Sequence, residues 1–234
     1  MAPVANAARR LATLLAAAAA ATAWPAQASQ CYGTVSHGRL DGGVKLPVHG
    51  PNFAAYSNLG ATVGRTAVHQ KVVDVILASY AALAVSIPSI TYVYGQTGFP
   101  EGGPFKPHKT HQNGLSADFF VPVRTSTGLP AILPSTLSNR FGYLIEFDAR
   151  GRYQNYQIDV TAYAEHLYEL QRAATARSVG ISLVIVDPAY LPLLFATPRG
   201  PSLREHLPFM LTTPFIRHDE HFHVDFSVPC APLK

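Results

Sequence analysis

The segment HFHVDFSV, residues 221–228, alternates so strictly that it leaves little freedom to the chain around it. Side chains of a strand point to opposite faces in turn, so Phe222, Val224 and Phe226 share one side while His221, His223 and Asp225 share the other. The apolar side belongs in a core, which turns both histidines towards a cleft. A His-x-His strand holds its two imidazoles about 6.5–7 Å apart, close enough for one to ligate a metal ion while the other stays beside it. A second window, KPHKTHQNGLSADFF (106–120), carries His108, His111 and Asp118, and His218 lies just ahead of the terminal strand. Five of the ten histidines of the chain fall in these two windows or three residues ahead of the terminal one, although only 14% of its residues are charged. Imidazole and carboxylate are the donors of zinc sites, and a catalytic zinc site uses three of them with one position open. His111, on a turn closed by Gly114, and Asp118, at the head of a strand, can reach one point if the residues between them fold back.

The first residues read as an export signal. Arg9 and Arg10 precede an apolar run from Leu11 to Ala23, and the small-residue motif AQA ends at Ala28. The run is shorter than the roughly 20 residues of a membrane span and stops at Trp24-Pro25, which argues against a transmembrane helix. Gln30 before Cys31 is too large for a lipid-attachment site. Residues 1–28 are therefore expected to be a cleaved signal peptide, and residues 29–234 one domain with a sizeable core. An exported chain meets an oxidising compartment, so Cys31 and Cys230, near its two ends, are expected to form a disulfide rather than to supply a nucleophile. With 18 Lys and Arg against 14 Asp and Glu, two of the basic residues falling in the leader, the balance gives no sign of a nucleic-acid partner. No later stretch is apolar enough to cross a membrane.

Residues 31–65, rich in Gly, Pro, Asn and Ser, read as irregular structure. A helix is expected from an N-cap at Thr66 to just before Pro88, with Val68, Val72, Val75, Ile76, Ser79 and Leu83 at steps of three and four. SITYVYG reads as a strand in which Tyr92 and Tyr94 pack the sheet, and GFPEGGPFKPH as a loop. DFFVPV is β-prone, and FGYLIEFDARGRYQNYQ suggests a hairpin turning at Asp148 to Gly151. Residues 159–178 form a second helix with Tyr163, Leu167, Leu170 and Ala174 on one face and Gly180 as its stop. ISLVIVD reads as a buried strand, and Pro188 to Phe195 as a short helix. The expected fold is α+β: a single domain with a small antiparallel sheet carrying the site and helices packed alongside. His69, His166 and His206 have no place in this pattern.

These motifs in this order resemble the penicillin-insensitive murein endopeptidases, zinc peptidases sharing a core with lysostaphin-type enzymes and D-alanyl-D-alanine peptidases. The resemblance rests on GQTGFPEGGPF (95–105), His108-x-x-His111-Gln-x-Gly114-Leu-x-x-Asp118, VIVDPA (184–189) and His218-x-x-His221-x-His223-Val224, with weaker agreement at LPVHG (46–50). It implies a periplasmic zinc D,D-endopeptidase that hydrolyses the D-alanyl to meso-diaminopimelyl cross-link of peptidoglycan, with Zn2+ held by His111, Asp118 and His223. It makes His221 the histidine beside the metal, active in catalysis with His218, while His108 lines the cleft. Two departures stand out. Ser116 occupies a position where the family usually has an acidic residue, so an outer interaction is missing or replaced. The segment before the first helix is YSNLGATVGR, which bears on substrate positioning. Two rival functions remain: a zinc D,D-carboxypeptidase or dipeptidase acting on terminal D-Ala, and a non-catalytic peptidoglycan-binding module. The second would be expected to lose ligands, and all three are present. Oligomeric state is open.

Overall fold

The computed structural model describes residues 28–233. The basic and apolar parts of the leader read at residues 1–28 lie outside them. Among the described residues, no helix is long and apolar enough to cross a membrane.

The chain opens with an antiparallel hairpin, β1 (Gln30–Thr34) and β2 (His37–Asp41), where irregular structure was expected. Only Cys31, Gly38 and Leu40 of these strands are buried, so the alternation is too sparse to read from sequence. The hairpin is fixed from the other end of the chain. Cys31 is disulfide-bonded to Cys230, and Gly33 N–H donates to Ala231 O while Ala231 N–H donates to Cys31 O, both at 2.9 Å. Short strands β3 (Val44–Lys45) and β4 (Phe53–Ala55) follow, then helix α1 (Asn58–Thr62), capped by Ser57.

Strand β5 (Ala67–Val68) pairs with β3, and this pairing takes the backbone that the sequence pattern assigned to a helix. Helix α2 accordingly spans Gln70–Ser86, with its N-cap three residues later than expected. Its cap is His69, whose Nδ1 accepts from Lys71 N–H, and not the buried Thr66. Then come β6 (Tyr92–Tyr94), β7 (Ser116–Phe120), β8 (Val123–Thr125) and β9 (Pro130–Ala131). Tyr92 and Tyr94 are buried sheet residues, as their spacing implied. The expected hairpin is displaced. Strands β10 (Arg152–Tyr153) and β11 (Tyr156–Ile158) turn at Gln154 and Asn155, while Asp148 to Gly151 form a separate turn in which Asp148 Oδ1 accepts from Arg150 and Arg152 N–H.

Helix α3 (Val160–Thr175), capped by Asp159, buries Tyr163, Leu167, Leu170 and Ala174 as predicted. It stops at Thr175, with Ser178 in the left-handed region, so Gly180 begins the next strand instead of ending the helix. Strand β12 (Gly180–Ile185) is an edge strand of mixed exposure, not a buried one. A 3-10 turn at Pro188–Tyr190, α4 (Leu191–Phe195), α5 (Gly200–His206) and β13 (His221–Ser227) complete the chain.

The main sheet runs β12-β13-β7-β6-β4, antiparallel except for the parallel pair of β4 and β6, and a smaller sheet runs β10-β11-β8-β9. Helices α2 and α3 pack against each other, with residues of both contributing to one core. Phe119 of β7 stacks on Phe222 of β13 at 5.1 Å between ring centroids, and Phe222 meets Tyr163 of α3 at 5.0 Å. The alternation of β13 is therefore used as predicted, with its aromatic face in the core. The architecture is α+β in one domain, with a mainly antiparallel sheet.

His166 of α3 lies in this aromatic core among Tyr80, Tyr92, Phe119 and Phe222, fully buried and with neither ring nitrogen hydrogen-bonded. Burial drives its pKa down to about 3. Below about pH 6.5 the unfolded chain binds a proton that the folded chain refuses, so stability falls by about 1.4 kcal/mol per pH unit towards pH 3. His166→Phe is expected to recover about 2–3 kcal/mol of the stability lost between pH 6.5 and 4.5. Urea denaturation at the two pH values checks this, and an unchanged difference between them would refute it.

Candidate metal centre

The register of β7 against β13 sets His223 directly opposite Asp118. Asp118 is the third residue of β7 and not its first, because Ser116 and Ala117 already pair with Asp225 and Val224. Its carboxylate is fully buried at the centre of a ring of side chains from three further segments. Asp118 Oδ1 lies 2.9 Å from His223 Nδ1 and 3.3 Å from His111 Nε2. Asp118 Oδ2 accepts from the Tyr143 hydroxyl at 3.1 Å and lies 3.8 Å from His108 Nδ1 and 4.0 Å from His221 Nε2. His218 completes the group, its ring centroid 4.6 Å from that of His221. All six residues singled out in the sequence are thus brought together.

Two of the imidazoles have their tautomers set by the stretch after β6. His111 Nδ1 faces the Thr97 carbonyl at 3.1 Å, and a carbonyl only accepts, so Nδ1 carries the proton and Nε2 the lone pair. Arg65 Nη2 donates to Gln96 Oε1 at 2.6 Å, which orients that amide with its oxygen 3.0 Å from His108 Nε2. His108 therefore donates from Nε2 and keeps its Nδ1 lone pair, and burial lowers its pKa to about 3, ahead of the opposing effect of Asp118. Donor atoms of His108, His111 and Asp118 lie within 4.8 Å of one another. His111 Nε2 is buried without a hydrogen-bond partner and faces a carboxylate oxygen. Two such atoms repel unless a proton or a metal ion lies between them. Imidazole and carboxylate donors gathered in this way can hold a metal ion, so the residues present fit one.

His223 is held differently. Its Nδ1 meets Asp118 and its Nε2 meets Asp225 Oδ1 at 2.8 Å. Burial opposes its charge, but Asp118 and Asp225 outweigh burial and raise its pKa to about 10, so without a metal the ring keeps both protons. Burial likewise works against the Asp118 carboxylate, and the charged imidazoles beside it, among them His223 at 2.9 Å, overcome it and hold the group well below its ordinary range. His221 donates from Nδ1 to Glu220 Oε1 at 2.8 Å, and Glu220 with Asp118 raises its pKa against the effect of burial. His218, its Nδ1 on the Ile216 carbonyl at 2.7 Å, is lowered to about 3 by burial and then by His221. Two neighbouring imidazoles are thereby pushed in opposite directions.

Sequence reasoning missed Gln96, Thr97, Glu220 and Tyr143. Glu220 left one trace, an acid next to His221 in a chain poor in charge. Tyr143 left none, since it lies in the segment read as a hairpin. It comes from a short turn in which Arg140, Phe141 and Gly142 all have positive φ, at 50°, 58° and 101°. That conformation is costly for an aromatic residue and is met where the surroundings over-determine it. Here Tyr143 Oη accepts from Gln96 N–H at 2.7 Å and donates to Asp118. A Cβ at Gly95 would collide with that hydroxyl.

Compared with families of known proteins, residues 31–232 match the model described as penicillin-insensitive murein endopeptidase. Compared with curated proteins, the chain finds no match.

Burial, then Asp118, pushes the Tyr143 phenol well above its ordinary pKa, which keeps it a donor. Tyr143→Phe leaves the Gln96 N–H and one Asp118 oxygen without this partner. The expected loss is about 1–3 kcal/mol of unfolding free energy, read from chemical denaturation of the metal-free protein. An unshifted midpoint would show that the hydroxyl is dispensable.

Proposed function

The chain belongs to the penicillin-insensitive murein endopeptidase family, and from that premise we propose that it is a zinc-dependent D,D-endopeptidase of peptidoglycan. Its substrate in this reading is the D-alanyl to meso-diaminopimelyl cross-link, met in the periplasm after a leader ending near Ala28 is removed. The observation that carries the zinc reading is His111 Nε2, buried and unpartnered beside the Asp118 carboxylate. His111, Asp118 and His223 hold the ion, with His108 Nδ1 as a further nitrogen within reach. Bound zinc supplies Lewis-acid chemistry, lowering the pKa of a water to about 7 and polarising the scissile carbonyl.

The chain's own residues account for the proton transfers. Glu220 accepts the Nδ1–H of His221 and so turns Nε2 towards the reacting atoms. His221 Nε2 takes the proton of the attacking water and returns it to the leaving amine, and in its protonated form it stabilises the oxyanion. His218, in contact with His221, keeps its Nε2 lone pair on the same side. Tyr143 and Phe120 wall the other flank of His221. Both cysteines of the chain are joined in a disulfide, so neither can serve as a nucleophile. The disulfide also supports an extracytoplasmic location.

Mass spectrometry of purified cross-linked muropeptide dimers, incubated with protein lacking residues 1–28, is the deciding experiment. Dimers should fall to monomers, stop falling on chelation and resume with zinc. Release of terminal D-Ala from intact dimers would establish the carboxypeptidase rival instead, and zinc binding without any cleavage would favour the binding module. His111→Ala and His223→Ala are each expected to lose zinc, while His108→Ala retains it in chelator competition. The reverse result for His223 and His108 would move the third ligand to His108.

A further inference from the structure

Asp225 follows His223 by two residues on the same face of β13, and its carboxylate is only 4% exposed. A buried carboxylate is costly unless its oxygens are satisfied, and both partners of this one lead into the metal centre. Ser116 Oγ donates to Asp225 Oδ1 at 2.5 Å, and His223 Nε2 donates to the same oxygen at 2.8 Å. Ser116 Oγ in turn accepts from the backbone N–H of His111 at 3.3 Å. His111 needs such a hold, because its φ of 69° lies in the left-handed region that a histidine rarely occupies. The backbone grips Asp225 as well. It sits opposite Ser116 in the β7–β13 register, and opposite the irregularity between Ile181 and Leu183 in β12, where Ser182 Oγ donates to Asp225 O at 3.2 Å. Irregularities of this kind re-aim side chains beside functional sites.

We propose that Asp225 and Ser116 act as one positioning unit that presets two metal ligands on different segments: the carboxylate fixes the His223 ring with Nδ1 as its ligating nitrogen, and the hydroxyl pins the strained backbone of His111. This rests on the zinc reading above. Neither residue need touch substrate, so the unit acts on metal affinity and on kcat at limiting zinc, not on KM at saturating zinc.

The test is zinc affinity of the metal-free protein by chelator competition, alongside its thermal midpoint without metal. Asp225→Asn presents an amide that can offer N–H to His223 Nε2, which drives the ring proton to the ligating nitrogen; affinity should fall about 10- to 100-fold. Ser116→Ala leaves the Asp225–His223 contact intact and guards against a folding defect; it should weaken zinc by a smaller factor. In the double variant the two losses should fall short of multiplying, as expected of residues that act together. Zinc affinity within twofold of wild type in both single variants, with only the metal-free midpoint lowered, would overturn the proposal and leave a purely structural pair. Independent losses that multiply would also overturn it. Wild-type protein that takes up no zinc would refute the metal reading itself, a result visible before any substitution is made.

Discussion

In the pairing of β7 with β13, His223 lies opposite Asp118, Asp225 opposite Ser116, and Phe222 opposite Phe119. A one-residue slip would carry every one of these side chains to the other face, placing imidazoles against α3 and phenyl rings where the polar centre now lies. The stacked Phe119–Phe222 pair and the Tyr163 ring beneath it therefore do more than fill the core. They lock the register, and the register assembles the site. Folding energy and ligand geometry depend on the same strand pair, so a change that weakens one is felt in the other.

The polar side of that pair is expensive to build. A carboxylate is taken wholly out of water and surrounded by imidazoles, with a second carboxylate buried two residues along the partner strand. Breaking any one contact strands a charge or a lone pair, and this is a larger penalty than the contact's own net contribution. The chain meets the cost with fixed dipoles. The Thr97 carbonyl and the Gln96 amide set two tautomers, Tyr143 is delivered through a strained turn, and Glu220 holds His221. His111 Nε2 stays without a hydrogen-bond partner beside the Asp118 carboxylate, and it is there that the proposed cation would be held.

The periphery serves the same centre. The disulfide closes the chain on itself, and Asn113, two residues past His111, packs its amide against Cys230 Sγ at 3.8 Å. The β1–β2 hairpin backs the same loop, since Gln112 N–H donates to Val35 O at 2.9 Å. A loop made pliable by glycines and prolines is thereby held rigid from outside, as a ligand-bearing segment requires.

Much of the site was legible before any coordinates, because a metal-like constellation needs rare residue types at fixed spacings. His108, His111, Asp118, His218, His221 and His223 were all named from two short windows, and the alternation of residues 221–226 settled which face of β13 enters the core. Period and composition also determined α3 and the Cys31–Cys230 link. What only the tertiary structure decided is what those residues lean on. The β3–β5 pairing moved the start of α2, the Asp148 turn displaced a hairpin, Tyr143 reached the centre from a segment with no local signal, and Gln96, Thr97 and Asp225, though inside motifs already singled out, received their partners only through long-range packing. The reason is physical: a ligand announces itself by its own chemistry, whereas the partner that orients it can be any carbonyl, hydroxyl or carboxylate that long-range packing brings within 3 Å.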